Sequence, residues 1–129
     1  MIKTTEFEEE VKVTLDGEDY PMLMTTYATR QIVKKFGGLN NLGKKITGGE
    51  GDQEEMFNNA CWLVALLVNQ PIIKYNRKHR DAEKPLFEVD DIAMMTTPSE
   101  LMTLMEQVGK AISRGSERNV PDGVPAGKN

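Results

Sequence analysis

Few residues in this chain have the types and spacing that catalysis demands. His79 is the only histidine and Cys61 the only cysteine. Neither a Ser-His-acid relay nor a multi-ligand metal set can be assembled around them at a recognisable spacing. Carboxylates come as short runs, Glu8-Glu9-Glu10, Glu54-Glu55 and Asp90-Asp91, and such runs ordinarily form solvated faces or complement the positive end of a helix dipole. A general acid needs a carboxyl in a perturbing environment, and nothing in these runs points to one. The 38–45 stretch, Gly-Leu-Asn-Asn-Leu-Gly-Lys-Lys, nearly spells a phosphate-cradling loop. That loop requires a buried strand before it and a Ser or Thr after its lysine to ligate magnesium. Here the preceding 29–36 stretch has helical spacing and Lys45 follows Lys44. The expectation is no catalytic residue, no cofactor and no metal, and so not an enzyme.

Binding chemistry is better represented. Lys74, Arg77, Lys78 and Arg80 are interleaved with Tyr75, the composition of a strip that meets phosphates and stacks one base. The plainer reading is a solvated polar segment, because the whole chain carries a net charge of −4 and has no bulk attraction to nucleic acid or anionic lipid. Methionines Met22, Met24, Met56, Met94, Met95, Met102 and Met105 fall on or beside apolar faces. Unbranched and polarisable, they suit either an irregular core or a surface that accommodates varied helical partners.

The elements that must position these groups follow from periodicity. A chain of 129 residues, 39% hydrophobic and 28% charged, has globular usage and the length of one domain. One cysteine excludes an intrachain disulfide, the reducing-compartment pattern, and the N-terminal residues lack a signal-peptide profile. Val11, Val13 and Leu15 alternate before Asp16-Gly17, followed by Tyr20, Met22 and Met24. This predicts a hairpin over 10–24 with both turn residues at positive φ, Val13 opposite Tyr20 and Val11 opposite Met22. Thr25 or Thr26 caps a helix over 26–36 with Ala28, Ile32, Val33 and Phe36 inward, ended by Gly37-Gly38. A shorter helix is expected at 39–46. Asp52 and Glu55 open a helix expected to stop near Asn69, since Pro71 disfavours helix in the residue before it. Its most apolar stretch, Met56 to Val68, is shorter than a bilayer span and carries Asn58 and Asn59.

This 52–69 helix is apolar nearly all round, with Met56, Ala60, Leu63 and Leu67 on one face and Phe57, Trp62, Val64, Leu66 and Val68 over the rest. Something must cover it, and a partner protein is one candidate. Further helices are expected at 72–80 and 88–95. The last, at 98–114, is opened by a capping box of Thr97 and Glu100 around Pro98 and stopped by Gly115. Residues 1–9 and 116–129 read as flexible termini around a single 10–115 domain. The predicted class is α+β, mostly α: an N-terminal β-hairpin packed on a small bundle of four to five helices.

Taken in order, five segments resemble the small tail assembly chaperones of long-tailed bacteriophages and related prophages. They are Val-Thr-Leu-Asp-Gly-Glu-Asp-Tyr-Pro at 13–21, Arg-Gln-Ile-Val-Lys-Lys-Phe-Gly at 30–37, Trp-Leu-Val-Ala-Leu-Leu-Val-Asn-Gln at 62–70, Ile-Lys-Tyr-Asn at 73–76 and Thr-Pro-Ser-Glu-Leu at 97–101. The resemblance implies a non-enzymatic protein of the infected host cytoplasm, absent from the mature virion. Such a protein binds the long helical tape measure protein, keeps it soluble and helps recruit tail tube protein around it. It also implies a longer product made by ribosomal frameshifting near the end of the short form, where Ala126-Gly127-Lys128 permits slippery codons. Expected client contacts are Trp62, Leu66, Met102 and Met105, with self-association as a further possibility and no membrane partner. Two alternatives stand beside it: a structural tail completion or connector protein, and a nucleic-acid-binding regulator acting through the 74–80 strip.

Overall fold

The computed structural model describes residues 11–42 and 52–117. Its chain order is β1 (Lys12–Leu15), β2 (Glu18–Pro21), α1 (Thr26–Phe36), a 3₁₀ turn (Leu39–Asn41), α2 (Gln53–Lys78), a second 3₁₀ turn (Arg80–Ala82), α3 (Val89–Met95) and α4 (Pro98–Glu117). The class is α+β, mostly α, as the pattern predicts.

The hairpin forms in the expected register. Asp16 and Gly17 take φ of 52° and 86°, the paired positive values of a two-residue turn whose twist matches the flanking strands. Val13 pairs with Tyr20, and Met22 donates its N–H to the Val11 carbonyl at 2.9 Å. Val11, Val13, Leu15 and Met22 are buried, so one face of the ribbon lies on the helices. An isolated ribbon would be marginal, and this burial supplies its stability.

Thr25 caps α1, its Oγ1 accepting the Ala28 N–H at 3.0 Å, and Gly37 ends the helix at φ 85°. Ala28, Ile32 and Phe36 are buried as expected, but Val33 is 43% exposed and leaves the predicted stripe. At one residue past Ile32 it is rotated about 100° from the buried face. The expected 39–46 helix is represented among the described residues only by the 3₁₀ turn and Leu42; its remainder, like residues 1–10 and 118–129, lies outside them.

The largest correction concerns α2. It does not stop near Asn69 with a separate helix over 72–80; it runs unbroken through Pro71 to Lys78. A proline at 71 cannot donate to the carbonyl four residues back, that of Leu67. That carbonyl is satisfied from outside the helix, by the N–H of Leu23 at 3.1 Å. Gln70, the residue proline pushes away from helical geometry, is held by two bonds of its own side chain. Its Nε2 donates to the Leu66 carbonyl at 2.9 Å and its Oε1 accepts from Thr25 Oγ1 at 2.7 Å. Gln70 is only 3% exposed, so this amide needs both partners to offset its desolvation. Continuity through the proline also makes α2 26 residues long. By length and composition alone it is now long enough to cross a membrane, although 56% of its most apolar 18-residue window is buried inside the fold.

Helix α3 is short and buries Ile92, with Asp91 Oδ2 accepting the Glu88 N–H at 2.7 Å at its start. Helix α4 opens with the predicted reciprocal cap: Glu100 N–H to Thr97 Oγ1 at 3.1 Å, and Thr97 N–H to Glu100 Oε1 at 2.9 Å. Gly115 does not stop it, and Ser116 and Glu117 belong to the helix and not to a tail. The glycine is there for proximity, since a Cβ at 115 would lie 2.4 Å from the Met24 Cβ. The core gathers around α2, with Leu15, Ile32, Leu63, Val64, Leu67, Val68, Ile92 and Val108 wholly buried.

Candidate functional site

The fold itself covers most of the central helix. Of residues 59–70, nine are buried: Asn59, Ala60, Cys61, Leu63, Val64, Ala65, Leu67, Val68 and Gln70. The hairpin, α1, α3 and α4 supply the cover that the sequence pattern demanded, so no wholly exposed apolar face of α2 is left for a client. Among its half-covered positions, Trp62, Leu66, Asn69, Ile73 and Asn76 are spaced by alternating steps of four and three, a heptad seam along the helix; Met56, Phe57, Pro71, Ile72 and Tyr75 are half-covered as well.

The expected contact residues separate on this basis. Trp62 is half-buried, edge-on to the Phe36 ring at 5.7 Å between centroids, with Lys35 Nζ 5.1 Å from its own centroid. Leu66 and Met105 are likewise partly buried against the core. Met102 is 36% exposed on α4. Sequence reasoning named Met94 among the methionines but not among the expected contacts, yet at 84% exposure it presents the most accessible large apolar side chain among the described residues. The signal was present in the brevity of α3: with Ile92 as its one buried residue, a methionine two positions on is rotated far from the core.

Near these methionines in sequence is a notch of about 140 Å³ where α2, α3 and the start of α4 converge, lined by Phe57, Cys61, Ala93, Thr96, Thr97, Pro98 and Leu101. Cys61 faces it from α2 while almost fully buried. Burial first, and the charge of Asp90 second, push its thiol above the ordinary range. A thiol held neutral in this way is a poor nucleophile and metal ligand, and no group of three or more potential metal ligands occurs among the described residues.

The basic strip is only partly assembled. Lys74, Arg77 and Lys78 are exposed at the end of α2, and Arg80 is exposed in the turn after it. Tyr75, however, is not a vacant stacking platform. The His79 ring stacks on it at 3.9 Å and 12°, and Lys84 Nζ stands 4.4 Å from its centroid. His79 is fixed in turn by its Nδ1, 2.8 Å from the Tyr75 carbonyl. The phosphate-loop reading also fails, since helix α1 and not a strand precedes Gly38.

A further arrangement, unseen in the sequence, occupies the seam beyond Leu66. Asn69 donates from Nδ2 to the Phe87 carbonyl at 2.9 Å and accepts the Phe87 N–H on Oδ1 at 2.8 Å. Asn76 does the same to Lys84, at 3.0 and 2.8 Å. The Phe87 ring meets Tyr20 edge-on at 5.2 Å. The irregular 83–88 segment is thus tied to α2 through its backbone.

Comparison with family models, with curated proteins and with solved structures finds no match for this chain.

Proposed function

We propose that this chain is a tail assembly chaperone, a non-enzymatic protein of the host cytoplasm that binds the tape measure protein, and tail tube subunits with it, until the tail assembles. The observation that carries this reading is the ordered resemblance of five segments between residues 13 and 101. Two exposed methionines support the reading. Met94 and Met102 are exposed and each follows in sequence a residue that lines the notch, Ala93 and Leu101; flexible, polarisable side chains of this kind suit an amphipathic helix. Of the four contact residues expected from sequence, Met102 is the most exposed; Trp62, Leu66 and Met105 contribute only their uncovered edges.

Co-expression with a candidate tape measure protein tests the reading. The client should become soluble and co-purify with this chain, and Met94→Ser/Met102→Ser should weaken that capture. A client that stays insoluble and never co-purifies rejects it. Mass spectrometry of finished particles should lack the chain; stoichiometric presence there would instead support the virion-component alternative.

A further inference from the structure

The notch between α2, α3 and the start of α4 opens to solvent, and its chemistry describes what fits it. Ala93, Thr97 and Pro98 on its wall are exposed, while Cys61 and Leu101 are buried. Its two threonine hydroxyls already serve helix ends: Thr96 Oγ1 donates to the Ile92 carbonyl at 2.9 Å, and Thr97 Oγ1 accepts the Glu100 N–H at 3.1 Å. What the wall offers beyond these is apolar. A space of about 140 Å³ suits one large side chain, since a cavity of about 150 Å³ admits benzene. The wall residues come from helices and their caps, whose backbone groups bond within each helix and offer no strand edge to an extended peptide. An occupant must therefore satisfy its own backbone, as a helix does.

The surroundings carry one sign of charge. Residues 52–73 and 85–109, which include every wall residue, hold eight Asp and Glu and no Lys, Arg or His. Asp52, Asp91 and Glu100 are occupied as helix caps. Glu54 and Asp90 are exposed and stand one turn before the wall residues Phe57 and Ala93, on the same helix faces. Asp90 is near enough to act on the Cys61 thiol. The cations of α2 gather at its other end: from Phe57 to Arg77 the helix advances about 30 Å, well beyond the screening length of about 8 Å in physiological salt. Lys35 is drawn to Trp62, which is turned toward Phe36 of α1.

We propose that the notch seats one large apolar side chain of a cationic amphipathic helix, with Lys or Arg residues of that helix facing Glu54 and Asp90. The acidic rim speeds encounter with a cationic partner and sets the preference for it, while the anchored side chain supplies the contact that holds it. This deepens the chaperone reading and rests on it for the identity of the client. The seat itself is measured with synthetic peptides, so that each can fail without the other.

The probe is a labelled peptide of about 18 residues, long enough to be helical, made of Ala and Lys with a central Phe and a Leu one turn to either side. Followed by fluorescence anisotropy, the full chain should bind it saturably. Binding should be at least about tenfold weaker when Phe is replaced by Ala or every Lys by Glu. Glu54→Gln/Asp90→Asn should weaken the Lys peptide by about fivefold or more and reduce the dependence of its binding on salt. Ala93→Leu, which fills the notch from an exposed position, should abolish binding in a chain that circular dichroism shows to be folded. The charge variant, at two exposed positions, is the second test where Ala93→Leu does not fold. The proposal is overturned by the absence of saturable binding, by equal binding of the Lys and Glu peptides, or by binding that survives Ala93→Leu. Self-association of the chain that Ala93→Leu abolishes assigns the notch to a second copy and overturns it as well. Tape measure capture unaffected by Ala93→Leu removes this seat and leaves the chaperone reading; peptide binding without tape measure capture keeps the seat and removes that client.

Discussion

Leu23 gives its backbone N–H to the carbonyl of Leu67 at 3.1 Å, the carbonyl that Pro71 leaves without a helical donor. The chain leaving the hairpin thus docks where the long helix has an unmet acceptor. The Thr25–Gln70–Leu66 bonds lie immediately beside it, fixing the start of α1 to the same turn of α2.

Replacing Pro71 by Ala restores a donor to residue 71 and sets it in competition with Leu23. An interior proline ordinarily costs about 3 kcal/mol relative to alanine, yet here the exchange should stabilise by less than about 1 kcal/mol, because the Leu23 N–H loses its partner. Urea denaturation gives the difference, and faster amide exchange at Leu23 identifies its source. A gain of the full proline cost would show that the docking bond contributes nothing.

Gln70→Ala should destabilise by about 1–3 kcal/mol, since it leaves the half-buried Thr25 hydroxyl without its acceptor and removes packed volume. Thr25→Ala should cost about 1 kcal/mol or more through loss of the α1 cap. The two act on one hydrogen bond, so the double variant should fall short of their sum; strict additivity would mean that the bond carries no energy.

Two glycines of α4 should respond to alanine with opposite signs. At Gly109 an added Cβ meets nothing within 4 Å, so Gly109→Ala should stabilise by roughly 0.5–1 kcal/mol through helix propensity. At Gly115 the same carbon would lie 2.4 and 2.5 Å from Met24 Cβ and Cγ and 3.2 Å from its carbonyl oxygen. Because Cβ and backbone are not the free end of a flexible side chain, Gly115→Ala should lower stability by about 1–3 kcal/mol despite the same propensity gain. Thermal melts of the pair decide it.

Cys61 should resist thiol reagents in the native chain at pH 8 and react at least about a hundredfold faster in urea, because burial disfavours its thiolate. The sign follows for stability. With the folded thiol titrating above the unfolded one, its contribution is intact below the ordinary thiol range, about pH 8.5. It is lost as pH rises from there through the folded value. Cys61→Ser, which does not titrate in this range, should flatten that part of the pH–stability curve.

Met94→Ser should change stability by no more than about 0.5 kcal/mol, since a side chain 84% exposed has little burial to lose. Any reduction it causes in client capture therefore reports surface contact and not unfolding; circular dichroism on the same sample makes the distinction.

Local rules were legible wherever a short-range interaction decides the outcome. The Asp16-Gly17 turn, the Thr25, Asp52 and Thr97 caps and the Gly37 stop all appear as their residue types require, because each depends on neighbours within four positions. The errors share a cause. Pro71 failed to break α2 because Leu23, far away in sequence, supplies the missing donor, and Gly115 failed to end α4 because Met24 requires its bareness. At the candidate surface, periodicity marked Trp62 and Leu66 as an apolar arc but could not reveal that the domain's own elements cover most of it. The Asn69 and Asn76 clasps were invisible because an asparagine in a helix gives no sign of whether it faces water or a neighbouring backbone.

The close approach of Gly115 to Met24 joins nearly the two ends of the described fold. During synthesis the hairpin therefore emerges long before the helix turn that seats against its exit, and its apolar face waits uncovered while α2 and then α4 are still being made. Such sequence-distant closure slows folding. A nascent chain halted before residue 115 should consequently hold its N-terminal ribbon on α2 through the Leu23–Leu67 bond but without the closing contact of α4, and so remain more vulnerable to proteases than the finished fold.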